Sequence, residues 1–189
     1  MASRNGIAHK YRKILELPGE ISILRKTTNL HTEGLYTQIQ SPGVLENLTI
    51  EIDDIHDFRR YIMFVENQWH MNQDLTYTIF NLHDQIVGQI SIYNIAYLHF
   101  RGEIGIWIGR EYWTHGFGKD ALQTIINYSF TQLHLNRLQA HMFVENSTSI
   151  SLFESVGFQN EGLIREFVRK KEKFRDVYSY SLLKRENPI

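Results

Sequence analysis

The chain has 189 residues, 42% of them hydrophobic and 13% aromatic, which is enough for one domain with a full apolar core. Twenty basic residues against 21 acidic ones leave a formal charge of −1, too little cationic excess for bulk binding to nucleic acid. There is no cysteine, so disulfides, thiolate nucleophiles and cysteine-ligated zinc are excluded.

No stretch approaches the about 20 apolar residues of a membrane helix, and no signal-peptide pattern opens the chain. The expectation is a cytoplasmic protein with no membrane or direct nucleic-acid partner, a monomer or a homodimer. Residues 1–20, ending at Leu17-Pro18-Gly19, read as a flexible or loosely docked extension, and 21–189 as a single domain.

Ile21–Arg25 alternates as a short strand. A helical stretch over 28–39 is closed by the turn Ser41-Pro42-Gly43. Asp53 is the expected N-cap of the next helix, whose Ile55, Phe58, Ile62, Val65 and Trp69 recur at spacings of three and four. Leu75–Phe80 and Ile86–Ile92 flank Asn81–Gln85 as an antiparallel hairpin, and Glu103–Ile108 adds a strand.

A glycine-punctuated loop, Trp113-Thr-His-Gly-Phe-Gly-Lys-Asp-Ala121, then leads into an amphipathic helix over Ala121–Leu133 carrying Leu122, Ile125, Ile126, Ser129 and Phe130 on its apolar side. Arg137–Val144 is a strand. Asn146 caps a short helix with Ile150 and Phe153 on one face, stopped by Gly157, and residues 163–169 and 174–183 form a last hairpin. The order βααβββαβαββ predicts an α/β fold with a mixed sheet of about seven strands.

The loop before the second long helix carries the chemistry. First-turn amides of a helix lack internal partners, and the helix dipole places positive charge there, so phosphate is a natural guest. Gly116 and Gly118 let the backbone come close, and Lys119 adds a cation. The spacing is not that of a Walker loop, and the third glycine of a dinucleotide fingerprint is missing. A tight connection with no ligand has the same residues.

Downstream, Val144-Glu-Asn-Ser-Thr-Ser-Ile-Ser-Leu-Phe-Glu-Ser-Val-Gly-Phe158 and Glu161-Gly162 resemble the GNAT superfamily of N-acetyltransferases, in its RimJ/RimL-like branch. The resemblance runs over roughly 21–184 and is most specific over 103–162. It implies an acetyl-CoA-dependent transferase of the GNAT fold, with the cofactor between two central parallel strands that splay apart, here 103–108 and 137–144. The backbone of Ile106, Trp107 and Ile108 would pair with the pantetheine arm. The amides of Thr114, His115, Gly116, Phe117, Gly118 and Lys119 would cradle the pyrophosphate, and Asn146 would hydrogen-bond the arm.

Ser149 would sit by the thioester sulfur. Relatives use a tyrosine where Phe153 stands and a glutamate where Val168 stands, and neither residue here can titrate. Glu103 is the candidate base, acting through water, with a strand-edge carboxylate as the alternative. Ser149 is the candidate proton donor to the thiolate, with an ordinary helix-start hydroxyl as the alternative. His141 reads as a core histidine or a substrate-facing one, and the run Arg169–Lys173 as a solvated turn. No metal site is expected, since no histidine pair has ligand spacing. The amine acceptor is a protein N-terminal α-amino group or a small amine such as a polyamine, an amino sugar or an antibiotic. A catalytically silent CoA-binding module is the alternative of a different class.

Overall fold

The computed structural model describes residues 13–187. One sheet of eight strands crosses the domain in the order β1-β2-β3-β4-β5-β6-β8-β7. The strands are β1 (Glu16–Pro18), β2 (Ser22–Lys26), β3 (Leu75–Asn81), β4 (Ile86–Ala96), β5 (Arg101–Ile108), β6 (Arg137–Phe143), β7 (Gln159–Lys170) and β8 (Lys173–Leu183). Helices α1 (Thr32–Ile39), α2 (Ile55–His70), α3 (Phe117–Thr131) and α4 (Ser147–Glu154) cover its faces. None of the described helices is long and apolar enough to cross a membrane.

The predicted α/β sheet with a parallel central pair is present, with one strand more than the periodicity shows. That strand is β1, which pairs antiparallel with β2 and lies within the stretch read as an extension. Residues 1–12 of that stretch lie outside the described residues.

Sequence pattern explains which face each helix takes. In α2, Phe58, Ile62, Val65 and Trp69 are the buried residues, as their spacing predicts. With Leu35 and Ile39 of α1, Phe58 and Ile62 enclose Trp107 of β5. On the other face, Leu122, Ile125, Ile126 and Phe130 of α3 pack with Ile104, Leu138, Ala140 and Met142. Residues on β5 and β6 therefore divide cleanly: Ile104, Leu138, Ala140 and Met142 belong to the α3 side, whereas Trp107 belongs to the α1/α2 side.

Two of the boundaries that differ from expectation have a clear physical cause. Asp54, not Asp53, caps α2, accepting from the amides of His56 at 2.7 Å and Asp57 at 2.8 Å. Helix α3 starts at Phe117, four positions before the apolar pattern does, because Gly116 at φ +88° takes the left-handed N-cap position.

Candidate active site

The parallel pair β5–β6 is joined only at its first three residues: Arg101 faces Arg137, Gly102 faces Leu138 and Glu103 faces Gln139. Beyond Glu103 the strands part. Residues 104–108 keep β4 as partner on one side, Ile106 opposite Ile90 and Ile108 opposite Gly88, and among the described residues have no strand partner on the other. An open edge inside a sheet accepts an extended amide-bearing chain as an added strand. At Ile108 the carbonyl already accepts from the Trp113 indole at 2.7 Å. Trp107 offers only its backbone here, since its side chain is buried under α1 and α2.

The open edge ends at the start of α3. Phe117, Gly118 and Lys119 form the first turn, and the first helical bond runs from Asp120 N–H to the Gly116 carbonyl at 3.0 Å. The Thr114 hydroxyl donates back to the Trp113 carbonyl at 2.5 Å, and His115 Nδ1 does so at 2.8 Å. Both side chains thus fold away from the amides, and Thr114 (φ 67°) and Gly116 hold the left-handed turn. Lys119 is exposed. Gly118 has a packing role as well: a Cβ there would stand 3.1 Å from Leu152, so its absence lets α3 pack on α4.

Asp120 went unassigned at the sequence level. Its carboxylate is buried and accepts from Glu20 N–H at 2.8 Å, Ser22 Oγ–H at 2.5 Å and Ile21 N–H at 3.3 Å. It ties the β1–β2 turn to the first turn of α3. A Cβ on Gly19 would stand 2.4 Å from its Oδ2, so that turn needs glycine.

Asn146 caps α4, its side-chain oxygen accepting from Ser149 N–H at 3.1 Å. Among the described residues the Ser149 hydroxyl has no hydrogen-bond partner. Phe153 is buried against Phe158, edge to face at 5.0 Å, a packing residue as its missing hydroxyl requires. Glu161 of the Glu-Gly pair is a clamp: Arg137 engages both its oxygens and Ser181 Oγ–H donates at 2.8 Å. The Arg137 guanidinium holds the Glu161 carboxyl below its ordinary range.

At the fork of the strands, on the α1/α2 side, a polar group assembles. Glu103 Oε1 accepts from Asn94 Nδ2–H at 3.2 Å, and its Oε2 lies 3.3 Å from His141 Nδ1. These partners, His141 first, hold the carboxyl below its usual range against the opposing effect of burial. A bulge in β4 between Tyr93 and Ala96 places Asn94 at φ 51° and turns its amide toward Glu103. Tyr93 sits opposite Glu103, its hydroxyl pushed up by burial and then by Glu103 and Asp74. Asp74 accepts from Asn94 N–H at 3.0 Å, and its own carboxyl is pushed up by burial. Phe167 of β7 covers the His141 ring at 4.9 Å.

His141 is thus neither a plain core residue nor free. Trp69 of α2 packs edge to face on Tyr77 at 5.2 Å in the core. The acidic residues before α2 have internal duties: Asp54 caps, Asp57 pairs with Arg60, and Glu51 accepts from Lys171 N–H at 2.7 Å. The run 169–173 is not wholly solvated either. Lys170 is buried, donating to the carbonyls of Leu45 at 2.5 Å, Glu46 at 3.4 Å and Leu48, and it docks the β7–β8 hairpin over the loop before α2. Burial draws its ammonium pKa down.

The acetyltransferase (GNAT) domain model matches residues 22–159. The chain belongs to the GNAT acetyltransferase family. It is 44% identical over 103 residues to the uncharacterized N-acetyltransferase p20 of Bacillus licheniformis, covering 54% of this chain and 58% of that protein. It is 31% identical over 99 residues to a spermidine N(1)-acetyltransferase of Vibrio cholerae, covering 52% and 57%. The chain thus spans little more than half the length of these relatives. Among solved structures, the RimL ribosomal L7/L12 α-N-protein acetyltransferase superposes with a TM-score of 0.84 at 16% identity, over 91% of this chain and 96% of that one. The Vibrio cholerae spermidine N-acetyltransferase with CoA and spermine gives 0.77 at 21% identity, over 87% and 96%. Both likenesses are of fold.

Proposed function

We propose that this protein is an acetyl-CoA-dependent N-acetyltransferase that passes the acetyl group directly to a primary amine. The observation that carries the proposal is the unpartnered edge of β5 running into the Gly116-capped start of α3. Pantetheine amides pair with the backbone of Ile106 to Ile108, and the pyrophosphate meets the amides from Thr114 to Lys119. The acyl end then lies toward the fork, with Asn146 and Ser149 on the α4 side and Glu103 on the side from which the amine arrives. Ser149 gives its proton to the departing thiolate. Among the described residues no three potential metal ligands gather, and the reaction as written needs none.

The acceptor we favour is a protein N-terminal α-amino group. Presenting a lysine-type amine neutral at pH 7 costs roughly 4.6 kcal/mol, against about 1–1.4 kcal/mol for an α-amino group. Of the acidic residues around the start of α2, Asp57 is already paired with Arg60. A small polyamine is the second reading, supported by the half-buried Asp74, which forms no ion pair among the described residues, and by the likeness to a spermidine N(1)-acetyltransferase.

Incubation with labelled acetyl-CoA and two panels, N-terminal peptides and small amines, separates these readings. Label in peptides supports the first, and label confined to small amines sinks it. CoA binding with no acceptor ever labelled leaves a binding module.

A further inference from the structure

Glu103 alone is poorly matched to taking a proton from an attacking amine. A general base works best when it titrates near the working pH, and this carboxyl is held well on the acidic side of it. What stands next to it fits better. Glu103 is the last residue of β5 paired to β6, and His141 lies two positions past Glu103's partner Gln139, where the strands have parted. Their side chains span the fork with Oε2 3.3 Å from Nδ1, and both are largely enclosed, 16% and 13% exposed.

We infer that His141 Nε2 is the proton acceptor of the reaction and that Glu103 is its positioning residue. This rests on the placement of the acyl end at the fork. A carboxylate facing Nδ1 holds the ring proton on that nitrogen and leaves Nε2 with its lone pair free. Among the described residues Nε2 has no hydrogen-bond partner. Phe167, in the β7 bulge between Ile164 and Val168, is half-exposed and lies against the ring at 4.9 Å. Glu103 of β5 and Phe167 of β7 contact the imidazole, and Ser179 is the register partner of His141 on β8. Arg101 acts on Glu103 from the same strand, and Tyr93 and Asp74 lie beyond it.

The step balances without another reagent. The amine nitrogen bonds to the thioester carbonyl carbon and one N–H proton passes to Nε2. The C–S bond then breaks, the thiolate takes the Ser149 hydroxyl proton to become CoA thiol, and the proton on Nε2 passes through solvent back to Ser149. The mechanism thus has a neutral imidazole as base and an imidazolium stabilised by Glu103 at the tetrahedral stage. That is the familiar division of labour between a histidine and the carboxylate that orients it.

The test compares wild type, His141→Gln and Glu103→Gln, following thiol release across pH together with calorimetric CoA binding. His141→Gln is expected to lower kcat about 10²- to 10⁴-fold, leave CoA affinity unchanged and remove the acidic limb of the pH profile. Glu103→Gln is expected to keep that limb while lowering kcat, because the imidazole loses the carboxylate that orients it. A His141→Gln enzyme with wild-type rate and limb overturns the inference, as does loss of the limb in Glu103→Gln alone. Imidazole nitrogen NMR shifts in the full chain give a readout that needs no acceptor. A proton on Nδ1 supports the pairing, and one on Nε2 overturns it. Wild type that binds CoA but releases no thiol with any amine defeats the transferase proposal and leaves the NMR result to decide the pairing.

Discussion

Asp120→Ala tests whether the first turn of α3 is held in place by the N-terminal hairpin. The buried carboxylate accepts from two backbone amides and one hydroxyl of residues 20–22. A hydrogen bond to a charged group contributes about 1.5–3 kcal/mol, and a buried donor left without a partner costs about 1–3 kcal/mol. The bonds at 2.5 Å and 2.8 Å are the strong ones and the 3.3 Å bond a weak one. Substitution by alanine is therefore expected to destabilise the fold by about 3–5 kcal/mol. With a urea m-value of about 2 kcal/mol/M, the unfolding midpoint falls by about 1.5–2.5 M. Asp120→Asn keeps one acceptor oxygen and loses about half as much. Equilibrium urea unfolding followed by tryptophan fluorescence measures both. A loss below about 1 kcal/mol for the alanine variant refutes the reasoning, because it means the turn at 19–22 finds other partners at little cost.

Lys170→Met keeps the apolar stem but strips three carbonyls of their shared donor, and is expected to cost about 2–3 kcal/mol. Faster proteolysis within 45–51 than at other loops, at unchanged core unfolding, marks the released contact. Glu161 sets a pH dependence. Because Arg137 lowers its folded value, the stabilisation is fully present above the ordinary 4.5 and is lost as pH falls through the folded value. Urea midpoints of wild type and Glu161→Gln should therefore differ at pH 7 and draw together as pH falls below 4.5. A difference that stays constant from pH 7 down to the acid unfolding of wild type contradicts the clamp.

Much of this was legible in the sequence because periodic burial leaves a periodic record. Phe58, Ile62, Val65 and Trp69 name their face of α2 unaided, as do Leu122, Ile125, Ile126 and Phe130 in α3. What escaped depends on partners distant in the chain. β1 has three residues, one of them Pro18, and no period to read; it pairs with β2, and Asp120, a hundred residues later, fixes the turn between them. The start of α3 reads as loop because glycines are poor helix formers, yet Gly118 is helical to admit Leu152. Asp53 and Asp54 are equivalent in pattern, and only backbone geometry chooses the cap. Lys170 looks like its charged neighbours until the hairpin meets 45–48. The Glu103–His141 pair exists because two strands start together and separate, a juxtaposition no local motif encodes.

The central claim is that the open edge of β5 and the start of α3 form a CoA site, and titration of CoA into the full chain and into Gly116→Trp tests it most directly. Gly116 holds φ +88°, and a Cβ there would stand 3.3 Å from Ile21, so an indole at the N-cap must find room beside the first-turn amides. The left-handed strain costs about 1–2 kcal/mol, a fall in melting point of no more than about 8 °C. The account predicts that wild type binds CoA with micromolar affinity and that the folded variant loses it at least about tenfold, at least 1.4 kcal/mol. Equal binding to both proteins, or no binding to wild type, would contradict it.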